Sequence, residues 1–340
     1  MMKALITGAT GFVGSHVARA LADAGHEVRV LHRASSKLDA LEGVRYESAM
    51  GDILDEDAVR AACHDCDRVF HVAAVSDYWR ADKAKMFDAN VRGTQLVLRA
   101  AREAGVQRVV FTSSAAAVGT RTDGSPANEQ DTFNLPPERF PYGYSKALAE
   151  RVVGEAVAGG QDVVIVNPVV VLGPGDLNVI SGDFVLKTRR LRWTLPVPPG
   201  GVAVTDVRDV AHWHVAAAER GRTGERYILA TENFAYHRWF ALIAEVVGVR
   251  APAFPLPRFA LPLVAAAIDA GRSLGLALPV DANQVRLGAK RIYFQSAKTW
   301  AELGAPQVTM RQSLVDTYNW YRSHGYVQED WLAQMIATFG

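Results

Sequence analysis

Lys3-Ala4-Leu5-Ile6-Thr7-Gly8-Ala9-Thr10-Gly11-Phe12-Val13-Gly14 decides the class of this chain. The residues up to Thr7 form a short apolar run of strand type. Glycines at 8, 11 and 14 follow at once, then an amphipathic pattern over 12–24 that Gly25 closes. A strand that turns through glycines into a helix lets backbone come close to a phosphate, and the helix N-terminus presents N–H groups and a positive dipole end to an anion. Glycines alone also mark ordinary turns. Placed between a strand and a helix, Gly8, Gly11 and Gly14 predict a dinucleotide site.

The same alternation continues outward from this unit. Strands are read at 3–7, 27–32, 44–47, 68–72, 108–112 and 162–167, and helices at 12–24, 55–62, 85–104 and 142–158. Strands separated by helices of this length imply βαβ units on a parallel sheet, so the fold class is α/β, a Rossmann-type doubly wound sheet. After Pro168 the texture changes to Gly173-Pro174-Gly175 and then Pro196, Pro198, Pro199, Gly200 and Gly201, around a helix at 181–193. Strands at 202–207 and 226–230, with a helix at 209–219 between them, are expected to return to the sheet. The dinucleotide-binding domain is therefore placed at 1–168 with 202–230. A smaller, discontinuous C-terminal substrate-binding lobe takes 169–201 and 231–340, with helices at 237–247, 258–274 and 310–324.

Composition excludes several function classes. Thirty-seven Lys and Arg against 36 Asp and Glu leave a net charge of +1, which is no footprint for nucleic acid. No signal peptide is read at the N-terminus, and the most apolar later stretch, 259–277, is interrupted by Pro262, Asp269, Arg272 and Ser273. That stretch reads as a buried or lid helix, no membrane partner is expected, and a cytoplasmic location fits. The two cysteines, Cys63 and Cys66, have no second pair to complete a zinc site, so no metal is expected. The partner is a small molecule, and the chain is expected to act as a monomer or homodimer.

An NAD-specific site usually carries an acidic residue at the end of the second strand, about 20 residues past the glycines. Here that stretch is Leu31-His32-Arg33-Ala34-Ser35-Ser36-Lys37, without a carboxylate. Arg33 and Lys37 can grip a 2′-phosphate, so NADP(H) is preferred and NAD(H) is the alternative. Further on, Tyr142-Gly143-Tyr144-Ser145-Lys146 begins a helix, and residues four apart share a helix face. An ammonium beside Tyr142 would bring its pKa down towards working pH and let it exchange a proton with a carbonyl oxygen. Ser114 ends the strand at 108–112, at the carboxyl edge where such sheets bind ligands. Strand alternation turns Ser113 the other way.

With these residues in order, the sequence resembles the extended short-chain dehydrogenase/reductase family, in its dihydroflavonol-reductase-like, atypical branch. The resemblance runs along essentially the whole chain. It implies that Gly8, Thr10, Gly11, Phe12, Val13 and Gly14 hold the cofactor, that Asp52 and Ile53 of Gly51-Asp52-Ile53 lie at the adenine, and that Ala73 and Ala74 of His71-Val72-Ala73-Ala74 line the nicotinamide side. It implies a triad of Ser114, Tyr142 and Lys146, the last two also touching cofactor. Asn90-Val91-Arg92-Gly93-Thr94 resembles a family helix in which Asn90 either bonds nearby backbone or joins a proton relay. Asn167-Pro168 resembles the segment that borders nicotinamide and substrate, with Pro168 on the cofactor side. His71 reads as a satisfied strand residue.

Two substrate readings remain. Tyr78, Trp79, Val169 to Leu172, Phe184 and Trp193 could wall an apolar ketone or aldehyde, with Ser114, Tyr78, Asn167 and Val171 as candidate contacts, although most such residues are ordinary core. Lys187, Arg189, Arg190 and Arg192 could instead clamp the diphosphate of a sugar nucleotide, although a charge cluster is usually a solvated face. The first reading gives an NADPH-dependent reductase that also runs as an alcohol dehydrogenase, the second a nucleotide-sugar epimerase holding NAD. A non-catalytic dinucleotide sensor ranks last, because such proteins typically lose the Tyr-Lys pair kept here.

Overall fold

The computed structural model describes residues 1–76, 81–276 and 280–327. The chain runs β1 (Lys3–Thr7), α1 (Phe12–Asp23), β2 (Glu27–His32), β3 (Glu47–Met50), α2 (Glu56–Cys63), β4 (Arg68–His71), α3 (Lys83–Phe87), α4 (Gly93–Glu103), β5 (Arg108–Thr112), α5 (Pro141–Ala158) and β6 (Val163–Pro168). It then runs β7 (Val170–Leu172), α6 (Asp183–Leu191), β8 (Pro196–Val197), β9 (Gly201–Asp206), α7 (Val207–Arg220), β10 (Arg226–Leu229), β11 (Glu232–Ala235) and α8 (Tyr236–Val246). Last come β12 (Phe254–Pro255), α9 (Leu261–Ser273), α10 (Ala282–Gly288), β13 (Arg291–Ile292), α11 (Ala297–Leu303) and α12 (Met310–Ser323).

Seven parallel strands in the order β10-β6-β5-β4-β1-β2-β3 form the main sheet, the doubly wound Rossmann arrangement. Its order reverses between β1 and β4, where the carboxyl ends open a crevice. Hydrophobic strands such as β6, buried along its whole length, are covered by helices on both faces. A core of α1, α7 and their strands lies on one face, and one of α2, α4, α5 and theirs on the other.

Three expectations are corrected. The third strand starts at Glu47, not residue 44, because this edge strand is largely exposed and carries no apolar alternation to mark it; Arg29 sets its register by an ion pair to Glu47 at 2.9 Å. The helix expected over 85–104 is broken by a π turn at Asp88–Arg92. There Asn90 is buried and its side chain reaches the backbone of Val75, a bulge of the kind that aims a side chain inward. The strand expected at 202–207 does not join the main sheet. β9 instead pairs antiparallel with β11 and parallel with β7 and β13, so the chain returns to the sheet only through α7 and β10.

The lobe core gathers Leu172, Val185, Val204, Trp239, Phe240, Ile243 and Leu314 from β7, α6, β9, α8 and α12. The segment expected as a buried or lid helix forms α9, of whose residues Leu261 and Ala265 alone are buried. No helix among the described residues is long and apolar enough to cross a membrane.

Contacts of α1 and α7 tie lobe to sheet, and one buried carboxylate gathers the lobe loop between them. His16 of α1 hydrogen-bonds the Pro174 carbonyl at 2.9 Å. The buried Asp176 carboxylate accepts from the N–H groups of Ile180, Ser181 and Gly182 and from the Tyr321 hydroxyl of α12. On α7, Trp213 donates to the Gly304 carbonyl at 2.8 Å and Asp209 accepts from Gln307 and Val308 N–H groups. Trp213 is fully buried against α1, so Trp213→Ala removes a large core side chain and orphans that carbonyl. We expect a loss of about 3–5 kcal/mol in unfolding free energy by urea titration, and a loss below about 1 kcal/mol would show that the site collapses without cost.

Candidate functional site

The cofactor end is built from backbone. Gly8 has φ +77°, and a Cβ there would stand 2.6 Å from Ala73 N and Cα, so the turn after β1 lies hard against the segment after β4. At Gly14 a Cβ would meet the Gly8 carbonyl oxygen at 2.2 Å. Thr7 Oγ1 accepts from Ala73 N–H at 3.3 Å and bonds His71 Nδ1 at 2.7 Å, locking the two strand ends together. Gly11 caps α1 without a side-chain hydrogen bond, and the first turn carries no acidic residue. Thr10, Phe12 and Val13 flank that terminus, and Ala74 continues the wall beyond Ala73. A bare helix end beside a cradle that any Cβ would fill fits a dinucleotide pyrophosphate.

Around that cradle the other expected residues fall as follows. Arg33 and Lys37 are exposed beyond the end of β2, next to β1, and form no ion pair among the described residues. Asp52, past the end of β3, uses Oδ1 to accept from Leu54 N–H at 2.9 Å, which leaves its second oxygen for a ligand. Ile53 packs over Gly93, where a Cβ would meet Ile53 Cδ1 at 2.8 Å. Pro168 ends β6, buried beside Leu229. Tyr78 and Trp79 lie outside the described residues.

Ser114, Tyr142 and Lys146 come together at the carboxyl edge. Ser114 Oγ accepts from Ala116 N–H at 3.2 Å, and its hydroxyl hydrogen-bonds that of Tyr142. Tyr142 sits in the first turn of α5, buried, with Lys146 one turn on. Lys146 Nζ donates to the Thr112 carbonyl at 2.8 Å and stands 5.2 Å from the centre of the Phe111 ring. The lowering of Tyr142 expected from Lys146 is not found. Burial pushes the phenol above its ordinary value, the Ser114 hydrogen bond offsets this in part, and the ammonium is turned to backbone instead. Lys146 itself is pulled down to about 8, by burial first and against the pull of Glu150.

Glu150, which the sequence reading missed, organises the far side of this centre. It follows Lys146 by four residues as Lys146 follows Tyr142, the one signal that could have found it. Ser113 Oγ donates to Glu150 Oε1 at 2.5 Å, Asn167 Nδ2 donates to the same oxygen at 2.6 Å, and Arg226 lies 3.5 Å from Oε2. Burial raises its pKa against these partners. Asn167 also donates to the Ser114 carbonyl at 3.0 Å and is fully buried. Its Nδ2 is thus shared between Ser114 and Glu150, while its buried Oδ1 has no hydrogen-bond partner among the described residues. Val171 is buried in the same core cluster as Val166 and Val207.

Asn90 spends its amide on Val75 backbone and on Ser145 Oγ at 3.0 Å. His71 is satisfied by Thr7 and Thr94, and burial drops its pKa to about 3. Cys63 and Cys66 are buried free thiols, Cys63 pushed up to about 12 by burial, unsuited to nucleophilic work. Among the described residues no group of three His, Cys, Asp or Glu is placed to hold a metal. Of the cations in and after α6, Lys187 pairs with Asp183 at 2.6 Å, Arg189 reaches Tyr318 at 3.3 Å, and Arg190 is exposed without an ion pair among the described residues. Phe184 stacks with Tyr236 and Phe240 in the lobe core, while Trp193 is half exposed against Phe254.

Comparison with known proteins places this geometry in context. The sequence model of the NAD dependent epimerase/dehydratase family matches residues 4–230. A Synechocystis protein described as "Putative dihydroflavonol 4-reductase" is 37% identical over 95% of both chains. Sterol demethylase protein B of Methylococcus capsulatus is 33% identical, covering 96% of this chain and 100% of its own. Cinnamoyl-CoA reductase 2 of Arabidopsis thaliana is 33% identical over 74% of this chain and 78% of its own. The crystal structure of gox2253 is similar at 34% identity with a TM-score of 0.85, covering 96% and 100% of the two chains. That of PA4631 of Pseudomonas aeruginosa, described as a nucleoside-diphosphate-sugar epimerase, is similar at 27% and 0.77, covering 96% and 99%.

Lys146 makes the site costly to fold. Its pKa of about 8 lies below the ordinary 10.5, so below pH 8 both folded and unfolded chains carry the charge and burial is penalised in full. Between pH 8 and 10.5 the folded chain gives up its proton first, and stability rises with pH. Lys146→Met should therefore raise the unfolding free energy at pH 7 by about 1–3 kcal/mol, after allowance for the lost Thr112 hydrogen bond. That gain should shrink as urea titrations are repeated towards pH 10.5. A variant less stable than the parent at pH 7 would show that the carbonyl contact outweighs burial.

Proposed function

Because the chain belongs to the NAD-dependent epimerase/dehydratase family, enzymes of the extended short-chain dehydrogenase/reductase type, we propose that it is an NADPH-dependent reductase of an apolar ketone or aldehyde, reversible as an alcohol dehydrogenase. The observation that carries this reading is the buried Tyr142 hydroxyl, hydrogen-bonded to Ser114 at the carboxyl edge of the sheet with Lys146 one helical turn behind. A reduced dinucleotide held by its pyrophosphate in the Gly8–Gly14 cradle would supply the hydride for the carbonyl carbon. Ser114 Oγ donates a hydrogen bond that fixes the carbonyl oxygen. Tyr142, kept protonated by its raised pKa, gives its proton to that oxygen as negative charge develops there. Lys146, with a pKa near working pH, serves to resupply the phenol. Glu150 and Asn167 hold Ser114 in place through its backbone.

The epimerase reading is the weaker one. A diphosphate clamp needs several cations aimed at one point, and Lys187 is already paired with Asp183 while Arg189 is engaged by Tyr318. The relatives named as reductases share 33% and 37% of their residues with this chain, more than the epimerase-named structure at 27%. The test follows the hydride. We expect purified protein to release little nucleotide on denaturation and to oxidise NADPH in proportion to an added aryl ketone, aldehyde or steroid ketone. Tyr142→Phe should lower kcat by roughly 10²–10⁴ with cofactor affinity kept. Near-stoichiometric bound NAD⁺, interconversion of sugar nucleotides and no net NADPH oxidation would instead make the protein an epimerase.

Cofactor choice rests on Arg33 and Lys37 in a stretch without a carboxylate. Arg33→Asp should weaken NADPH binding by about tenfold to a hundredfold and leave NADH binding equal or improved. Fluorescence titrations that show equal losses for the two cofactors would remove Arg33 from the 2′-phosphate site.

A further inference from the structure

One face of the lobe carries an apolar surface that the proposed chemistry leaves unused. Among the described residues fourteen large apolar side chains are exposed, and Trp193, Phe254, Phe259, Leu263, Leu274 and Leu276 all fall within 183–194 and 250–276. The two segments are joined in space. β8 pairs with β12, Ala253 N–H donates to the Trp193 carbonyl, and the Trp193 and Phe254 rings lie 5.5 Å apart. Phe259 then leads into α9, along which Leu263, Ala267 and Ala270, and Leu274 at its C-cap, recur at three- and four-residue spacing, all of them exposed. Phe259 and Leu274 are each 80% exposed and Leu263 72%, far beyond the scattered apolar residues of an ordinary surface.

The charge around this stripe says what covers it. In a chain of net charge +1, these two segments carry seven Lys and Arg against two Asp. Arg190, Arg250 and Arg258 are exposed and form no ion pair among the described residues. Exposed aromatic and aliphatic side chains bordered by arginines suit the boundary between lipid headgroups and acyl chains, where the apolar face sinks in and guanidinium groups meet anionic headgroups. A second copy packed about a two-fold axis would bring the same arginines onto one another. We propose that this face, α9 with the Trp193–Phe254 pair, docks the enzyme reversibly on an anionic lipid surface. With no spanning helix among the described residues, the attachment is peripheral.

Flotation with vesicles tests this on the full chain. The protein should float with vesicles of phosphatidylcholine mixed with phosphatidylglycerol, much less with phosphatidylcholine alone, and less again in high salt. Phe259→Ser combined with Leu263→Ser should abolish flotation, and Arg190→Ala or Arg258→Ala should each weaken it roughly fivefold. All three variants should keep the parent's unfolding midpoint and its NADPH-binding affinity, since none touches the cradle. Failure of the parent to float with the mixed vesicles, or variants that float as well as the parent, would overturn the proposal. So would a parent dimer that the double serine variant turns into monomer, which would assign the face to a second copy.

Discussion

At the centre of the molecule an ammonium is held almost out of reach of water. Lys146 is 2% exposed, and a charge so placed must be met by fixed dipoles and counter-charge. The Thr112 carbonyl at the end of β5 supplies the dipole, the Phe111 ring a face, and Glu150 on the next turn of α5 the counter-charge. Glu150 in turn accepts hydrogen bonds from Ser113 and Asn167 and faces the Arg226 cation, residues of the extension of β5, of β6 and of β10. One buried cation therefore fixes how α5 lies across three neighbouring strands. Ser114 and Tyr142 inherit their relative position from that arrangement rather than from contacts of their own.

The cofactor end obeys a different constraint, steric rather than electrostatic. Backbone there approaches backbone so closely that Gly8 and Gly14 admit no side chain, and the strand ends of β1 and β4 are locked through Thr7. The two ends of the site are linked through α1. Its His16 holds the Pro174 carbonyl, and the loop that follows is gathered by Asp176 and by Tyr321 of the last helix. The loop after Pro174 is thereby anchored both to the helix that follows the glycine turn and to the last described helix.

Much of this was readable in the sequence, for physical reasons that can be named. The glycine turn, the strand limits at Lys3–Thr7, Glu27–His32 and Arg108–Thr112, and the Tyr142–Lys146 spacing are local patterns, set by backbone geometry within a few residues. What the sequence did not show depends on partners far away. β3 is an exposed edge without alternation; β9 reads as a sheet strand and pairs elsewhere; the π turn at Asn90 exists because Val75 offers its backbone across the site. Glu150 was hidden because a glutamate in a helix is ordinary until strands on the other side of the sheet supply Asn167 and Arg226. The depth at which Val171 and Asn167 lie was hidden for the same reason, since burial is set by packing.

β6 is buried along its whole length and apolar but for Asn167, and its outer neighbour is β10, reached only after the chain has built β7, α6, β9 and α7. During synthesis from the N-terminus, β6 stands as an open edge with unpaired backbone groups until Arg226–Leu229 has been made. Its side chains Val163 to Val166 offer no charge to ward off another strand. The interval is filled by lobe segments whose own core needs α8 and α12, later still. The nascent chain thus passes through a stage at which a buried strand is complete and its cover is not, an exposure that the finished fold no longer has.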